Sequence, residues 1–196
     1  MYKNIRNAAA ALLATIALIV PISAQTTTSP QSATSPLGAA ASKIRIDNFG
    51  VVNDHYLRGA QPTGQDFADL KGLGVKLVID LAKEGATSEA NAVEGAGMKF
   101  VRIPLTTGAA PSAAVIEQFL TLVNDPANQP VYVHCMGGKH RTGVMTAVYR
   151  MTEDGVTADQ AFKEMKDFHF GADFLHPELK AFVYSFYSEL TSKSGK

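Results

Sequence analysis

The chain has one cysteine, no tryptophan and no net charge. A single thiol forms no internal disulfide, and one cysteine among five dispersed histidines makes no zinc-ligand spacing, so neither a metal nor another cofactor is expected. Acids and bases balance at 18 each, which leaves no electrostatic footprint for nucleic acid. No segment repeats. The apolar run Ala8 to Val20 has 13 residues, short of the roughly 20 that cross a bilayer.

That run follows Lys3 and Arg6 and precedes Pro21-Ile22-Ser23-Ala24-Gln25, the charged, apolar and small-residue order of a secretory signal. The expectation is a signal peptide over residues 1–24, cleaved after Ala24, with a periplasmic or secreted product. Retention as a membrane anchor is the alternative. Cleavage would leave 16 Lys plus Arg against 18 acids, a net of −2, and no membrane contact. Residues 25–42 are rich in Thr, Ser, Ala, Pro and Gln without apolar periodicity and read as a flexible linker. The remainder, 43–196, is one domain's worth of chain.

Within it, short β-branched or aromatic runs alternate with helical ones. Strand material is expected at 44–58, 75–81, 99–104 and 130–134, and helices at 63–72, 87–95, 112–124, 142–153, 157–168 and 177–190. This alternation predicts an α/β domain whose central sheet is mainly parallel and flanked by helices. Leu179, Phe182, Val183, Phe186 and Leu190 recur at helical spacing and are assigned to core packing rather than to a partner or membrane face.

The chemistry concentrates where the strand 130–134 meets the helix 142–153. The joining run is Cys135-Met136-Gly137-Gly138-Lys139-His140-Arg141-Thr142-Gly143. Unpaired N–H groups and the positive end of the helix dipole converge there on any anion. Thiols so placed beside Arg or Lys titrate at roughly 3.5 to 7.5, against about 8.5 when free. Cys135 is therefore expected as a resting nucleophile. Gly137 and Gly138 permit an anion nest, to which Met136, Lys139 and His140 contribute N–H groups or charge. Arg141 offers a planar fork for two phosphoryl oxygens, and Thr142 a hydroxyl for the sulfur. Taken singly, Cys135 would be a small buried hydrophobe and the glycines turn residues. His134, ending a buried strand, is assigned a supporting role in orienting the loop.

Cys, five residues, Arg and then Thr-Gly resembles the signature of the protein tyrosine and dual-specificity phosphatase superfamily. The likeness extends to Asn48-Phe49-Gly50-Val51-Val52, Tyr56-Leu57-Arg58-Gly59-Ala60-Gln61-Pro62 and Val75-Lys76-Leu77-Val78-Ile79-Asp80-Leu81, which look like the opening of the atypical dual-specificity phosphatases of plants, fungi and bacteria. The resemblance implies a dual-specificity phosphatase-like fold and a metal-free cysteinyl-phosphate mechanism. Some eukaryotic members act on inositol pyrophosphates, and the Lys139-His140 pair is similar to those members.

A leaving alkoxide or phenoxide needs a proton, and members of the superfamily usually supply it from an aspartate in the loop before the catalytic strand. The matching stretch, Ile103 to Ser112, has no acidic residue, and Glu117 beyond it reads as a solvated helix residue. Asp80 is the leading candidate for the acid, with Glu84 and His140 as alternatives. Asp80 and Glu84 fall at the C-terminal edge of the strand 75–81, where ligands collect in open α/β sheets. Lys83, Lys139, His140 and Arg141 could form a basic mouth. The expected activity is exported, cysteine-dependent hydrolysis of phosphate monoesters or phosphoanhydrides. Its partner would be a phosphorylated protein, an inositol phosphate or another small phosphorylated substrate. A phosphate-recognition module without turnover and a rhodanese-type sulfur transferase are the alternatives, and Arg141-Thr142-Gly143 argues against the second.

Overall fold

Residues 36–194 are described by the computed structural model, so the expected signal peptide and the linker up to residue 35 lie outside the described residues. The last part of the expected linker, from residue 36, is among the described residues. Pro36–Ala41 forms a short helix, α1, because Leu37 finds an apolar surface around Ile46 and Leu57.

The strand material at 44–58 takes the form of a hairpin. β1 (Gly50–Asn53) and β2 (Tyr56–Gly59) pair antiparallel. They are joined by an Asx-type turn in which His55 N–H donates to Asn53 Oδ1 at 2.9 Å. From there helices and parallel strands alternate as expected: α2 (Asp66–Gly72), β3 (Leu77–Ala82), α3 (Glu89–Gly95), β4 (Lys99–Leu105), α4 (Ala113–Asn124) and β5 (Val131–His134). α5 (His140–Glu153), α6 (Ala158–Asp167) and α7 (Pro177–Ser194) complete the chain. The sheet order is β1-β2-β5-β3-β4, parallel everywhere except at the hairpin. Local chemistry sets the helix starts. Ser112 Oγ caps α4 through Val115 N–H, and Thr157 with Gln160 forms a reciprocal capping box at α6.

Strand parity divides the core. Leu77, Ile79, Leu81, Val131 and Val133 share one cluster with Phe119 of α4 and Met145 of α5. Leu57, Val78 and Tyr132 face the opposite way, onto Leu70 of α2 and Val93 of α3. The far side of α5 packs on α6 and α7 through Val144, Phe162, Leu179 and Val183; of the five residues expected as core in the last helix, Leu179 and Val183 are buried, while Phe182, Phe186 and Leu190 are partly buried against the same cluster. Two consequences matter for the site. β5 and α5 are central and buried on all sides, so the loop joining them sits on a rigid frame. Asp80 and His134 have the parity of Val78 and Tyr132 and so belong to the α2/α3 face.

Candidate active site

β5 ends at His134 and α5 begins at His140, two residues earlier than the sequence suggests. Arg141 therefore lies in the first helical turn. That turn carries no acidic residue and Lys139 gives no side-chain cap, so its N–H groups and the helix dipole remain available to an anion. Cys135 is buried at the strand end, while Met136 stands half-exposed at the rim. Gly138 has φ +64°, and a Cβ there would lie 2.5 Å from the Gly59 carbonyl carbon. No other residue fits that bend beside β2.

Arg141 is buried and held as a fork. Its Nη1 and Nη2 donate to the two oxygens of Glu84, both at 2.6 Å, and Nη1 also reaches the Leu105 carbonyl at 3.3 Å. Burial pushes the guanidinium down, but Glu84 and Cys135 outweigh it and leave it above its ordinary value. The Nε is buried with no partner, a donor left for a ligand oxygen. The Thr142 hydroxyl is likewise buried without a partner. Arg141 holds the Glu84 carboxyl below the usual carboxylate range, so Glu84 acts as an ionised clamp rather than as a proton donor.

Asp80 does not face the cleft, which corrects its place as leading acid. Its side chain has no exposed surface, one oxygen accepts from Ala82 N–H at 2.7 Å, and the other accepts from Arg102 Nε at 2.7 Å. The cause is parity and register: Arg102, Asp80 and His134 are neighbours on adjacent parallel strands, pointing under α3. From α3, Glu89 brings Oε1 to 2.9 Å from His134 Nε2, an ion-pair distance whose direction lies off the N–H axis, and Oε2 to 3.5 Å from Arg102. His134 thus stands between two carboxylates immediately before Cys135. Burial raises Asp80 despite Ala82, His134 and Arg102; for Glu89, burial is outweighed by His134, Gln61 and Arg102, and the carboxyl sits low. Asp80, Glu89 and His134 also have donor atoms within 4.8 Å of one another, as a metal would need. Arg102 supplies a cation to both carboxylates there, so the group reads as a buried charge cluster.

His140 is the remaining acid candidate. Its Nε2 lies 3.0 Å from the Phe170 carbonyl, which can only accept, so that nitrogen carries the proton. Burial and the His176 ring, 4.0 Å away between centroids, push its pKa below the ordinary value. Its N–H is committed to the backbone. Lys83 and Lys139 are exposed, and from Ile103 to Ser112 the Leu105 carbonyl reaches Arg141. Sequence reasoning missed Glu89 and Arg102, whose places depend on how α3 and β4 dock; the alternating parity of β3 was the available signal for Asp80.

A parallel strand, a glycine-framed loop with a buried thiol, and an arginine fork on the following helix together define the cysteine-dependent phosphatase class of dual-specificity type. Residues 43–176 match the family model described as DSP-PTPase phosphatase fused to NAD+ kinase, and the chain belongs to that family. It is 28% identical over 130 residues to inositol diphosphatase SIW14 of Saccharomyces cerevisiae, covering 63% of this chain and 46% of that protein. It is 31% identical over 117 residues to inositol diphosphatase DSP2 of Oryza sativa, covering 57% of each. Identity to dual specificity protein phosphatase TpbA of Pseudomonas aeruginosa is 30% over 114 residues, covering 58% and 51%. The chain thus spans about half the length of these curated relatives. Among solved structures, the SIW14 core catalytic domain shares the fold with TM-score 0.63 at 24% identity, covering 76% of this chain and 94% of that one. TpbA gives 0.62 at 26%, covering 71% and 84%.

Proposed function

We propose that this chain is a cysteine-dependent phosphatase whose preferred substrate is a phosphoanhydride, an inositol diphosphate in particular. One observation carries the reading: the thiol and the arginine fork are in place, but each acidic group near them is either buried in the charge cluster or tied to Arg141. In the first step the Cys135 sulfur attacks phosphorus, an S–P bond forms, and the bond to the leaving oxygen breaks. Arg141 and the loop N–H groups hold the equatorial oxygens through the transition state. Water then cleaves the cysteinyl-phosphate to inorganic phosphate and thiolate, and the buried, unpartnered Thr142 hydroxyl is the group assigned to donate to the departing sulfur. A phosphate leaving group has a second pKa of about 6 and departs unprotonated at neutral pH. An alkoxide resembles hydroxide, whose parent water has a pKa of about 15.7, and does not. The exposed Lys139 offers charge to a polyanionic substrate, and two of the relatives carry the name inositol diphosphatase. Phosphotyrosine is the second reading, favoured by a TpbA structure solved with phosphotyrosine; a phenoxide leaves more readily than an alkoxide.

The test is phosphate release by the full chain from an inositol diphosphate, an aryl phosphate and a phosphotyrosine peptide, with Cys135→Ser alongside. Release from the diphosphate, lost in Cys135→Ser, is the expected result. Binding of the same compounds without release would make the protein a recognition module. We also propose export, on the pattern of residues 3–24, with a processed N-terminus in the periplasmic or secreted fraction as the expected observation.

A further inference from the structure

An anion cradle works only if its peptide planes are turned the right way, and here three successive carbonyls of the loop are capped from outside. Met136 O accepts from Gln61 N–H at 3.2 Å. Gly137 O accepts from Asn48 Nδ2 at 3.4 Å, and Gly138 O from the same Nδ2 at 2.9 Å and from Arg58 Nη2 at 2.8 Å. In a planar trans peptide the N–H of the next residue points opposite to the carbonyl. Carbonyls pulled outward therefore direct the N–H groups of Gly137, Gly138 and Lys139 inward.

The two side chains that do this are themselves fixed. Asn48 takes φ 56°, a left-handed conformation that asparagine tolerates, donates also to Phe168 O at 3.0 Å, and accepts from His169 Nδ1 at 3.0 Å. Arg58 has no exposed surface, although it sits on a strand among apolar neighbours. Its guanidinium carbon lies 4.0 Å over the Phe168 ring, and a Cβ on Gly50, its register partner, would sit 2.5 Å from that ring. Its Nε and Nη1 have no hydrogen-bond partner, and none of the ion pairs among the described residues includes it. A buried cation without a carboxylate is costly unless an anion compensates it. Glu164 and Cys135 act on Arg58 electrostatically without an ion pair, and a bound phosphoryl group would add a further anion.

We propose that Asn48 and Arg58 are positioning residues that hold the peptide planes of Gly137 and Gly138 in the phosphate-accepting orientation, Arg58 also supplying a buried positive charge beneath the loop. Neither touches substrate. This inference rests on the cradle binding a phosphoryl group, but oxoanion affinity tests it without turnover. The variants are Asn48→Asp, which keeps the shape and replaces the donor by an anionic oxygen facing the carbonyls, Arg58→Gln, and Arg58→Lys.

Tungstate affinity by calorimetry, kcat on an aryl phosphate and melting curves are measured on the full chain. Asn48→Asp is expected to lose at least tenfold in tungstate affinity and roughly 10² in kcat, the scale for one misdirected oxyanion donor. Arg58→Lys should recover part of the loss shown by Arg58→Gln. If Asn48→Asp does not fold, the Arg58 pair decides. Folded variants that bind tungstate as wild type does would overturn the proposal. Wild-type protein that binds tungstate but hydrolyses nothing would overturn the phosphatase reading alone, since the affinities still decide the positioning.

Discussion

Replacing Glu89 by glutamine keeps the size of the side chain and removes its charge. In the folded protein that charge lies 2.9 Å from His134 Nε2, with both side chains almost wholly buried, and 3.5 Å from an Arg102 that is 24% exposed. Breaking a buried contact to a charged group costs about 1.5–3 kcal/mol, and about 3–5 kcal/mol where the partner left behind is itself a buried charge. Asp80 remains 3.9 Å from His134 Nδ1 and Arg102 can rehydrate, so the expected loss at pH 7 falls in the lower range, about 2–3 kcal/mol. At about 2–4 °C per kcal/mol for a domain of this size, the melting temperature should fall by roughly 4–12 °C. The loss also has a pH signature. The folded carboxyl is held low, so its stabilisation is fully present above the unfolded value of about 4.3 and disappears as pH falls through the folded value. Urea unfolding of both proteins at pH 7 and near pH 4 should show the gap narrowing in acid. An undiminished gap at low pH, or no gap at pH 7, would refute an ionised Glu89 partnered by His134.

Two further outcomes follow from the same geometry. Asp80→Asn should slow an activated aryl phosphate and a poor-leaving-group ester alike in kcat/KM, and should destabilise less than Glu89→Gln because burial already disfavours its ionised form; a selective loss of about 10²-fold or more on the poor ester would restore Asp80 as the acid. Burial and His176 depress His140, so the stability it contributes is present above the unfolded value of about 6.5 and is lost as pH falls through the lower folded value. By NMR, His176→Ala should move the His140 titration upward toward that value but not to it, since burial is the larger cause; an unmoved midpoint would exclude the His176 contribution.

The architecture could be read from the sequence because hydrophobic period and turn residues are local, and the alternation from 63 to 134 needed no tertiary information. The detail not legible at 44–58 was a turn: Asn53 Oδ1 accepts from His55 N–H and divides that strand material into a hairpin. Cys135 and Arg141 were equally readable, since they are six residues apart on one loop and one helix start. Asp80 was not. Position along the strand put it near the ligand edge, but ligand access depends also on the face, and Leu77, Ile79 and Leu81 take the side of the sheet opposite to Asp80. A carboxylate of that parity points beneath α3, where only the docking of Glu89 and Arg102 decides what it meets.

Asn48 and Arg58 mark a different limit. Their partners are backbone carbonyls 80 to 90 residues away, and a carbonyl leaves no trace in the side-chain pattern that could reveal the match. The trace that did exist was an anomaly: an arginine inside Tyr56-Leu57-Arg58-Gly59, a strand otherwise fit for burial. A cation is buried at that cost only where something nearby is negative or becomes so. Besides Glu164, which acts on Arg58 electrostatically without an ion pair, such a place is the loop after β5, which Arg58 supports through the Gly138 carbonyl. The two guanidiniums divide the work by access: Arg141, bonded through both Nη groups to a half-exposed Glu84, keeps its Nε for each substrate, whereas Arg58, bonded to the loop itself, keeps the cradle formed between turnovers.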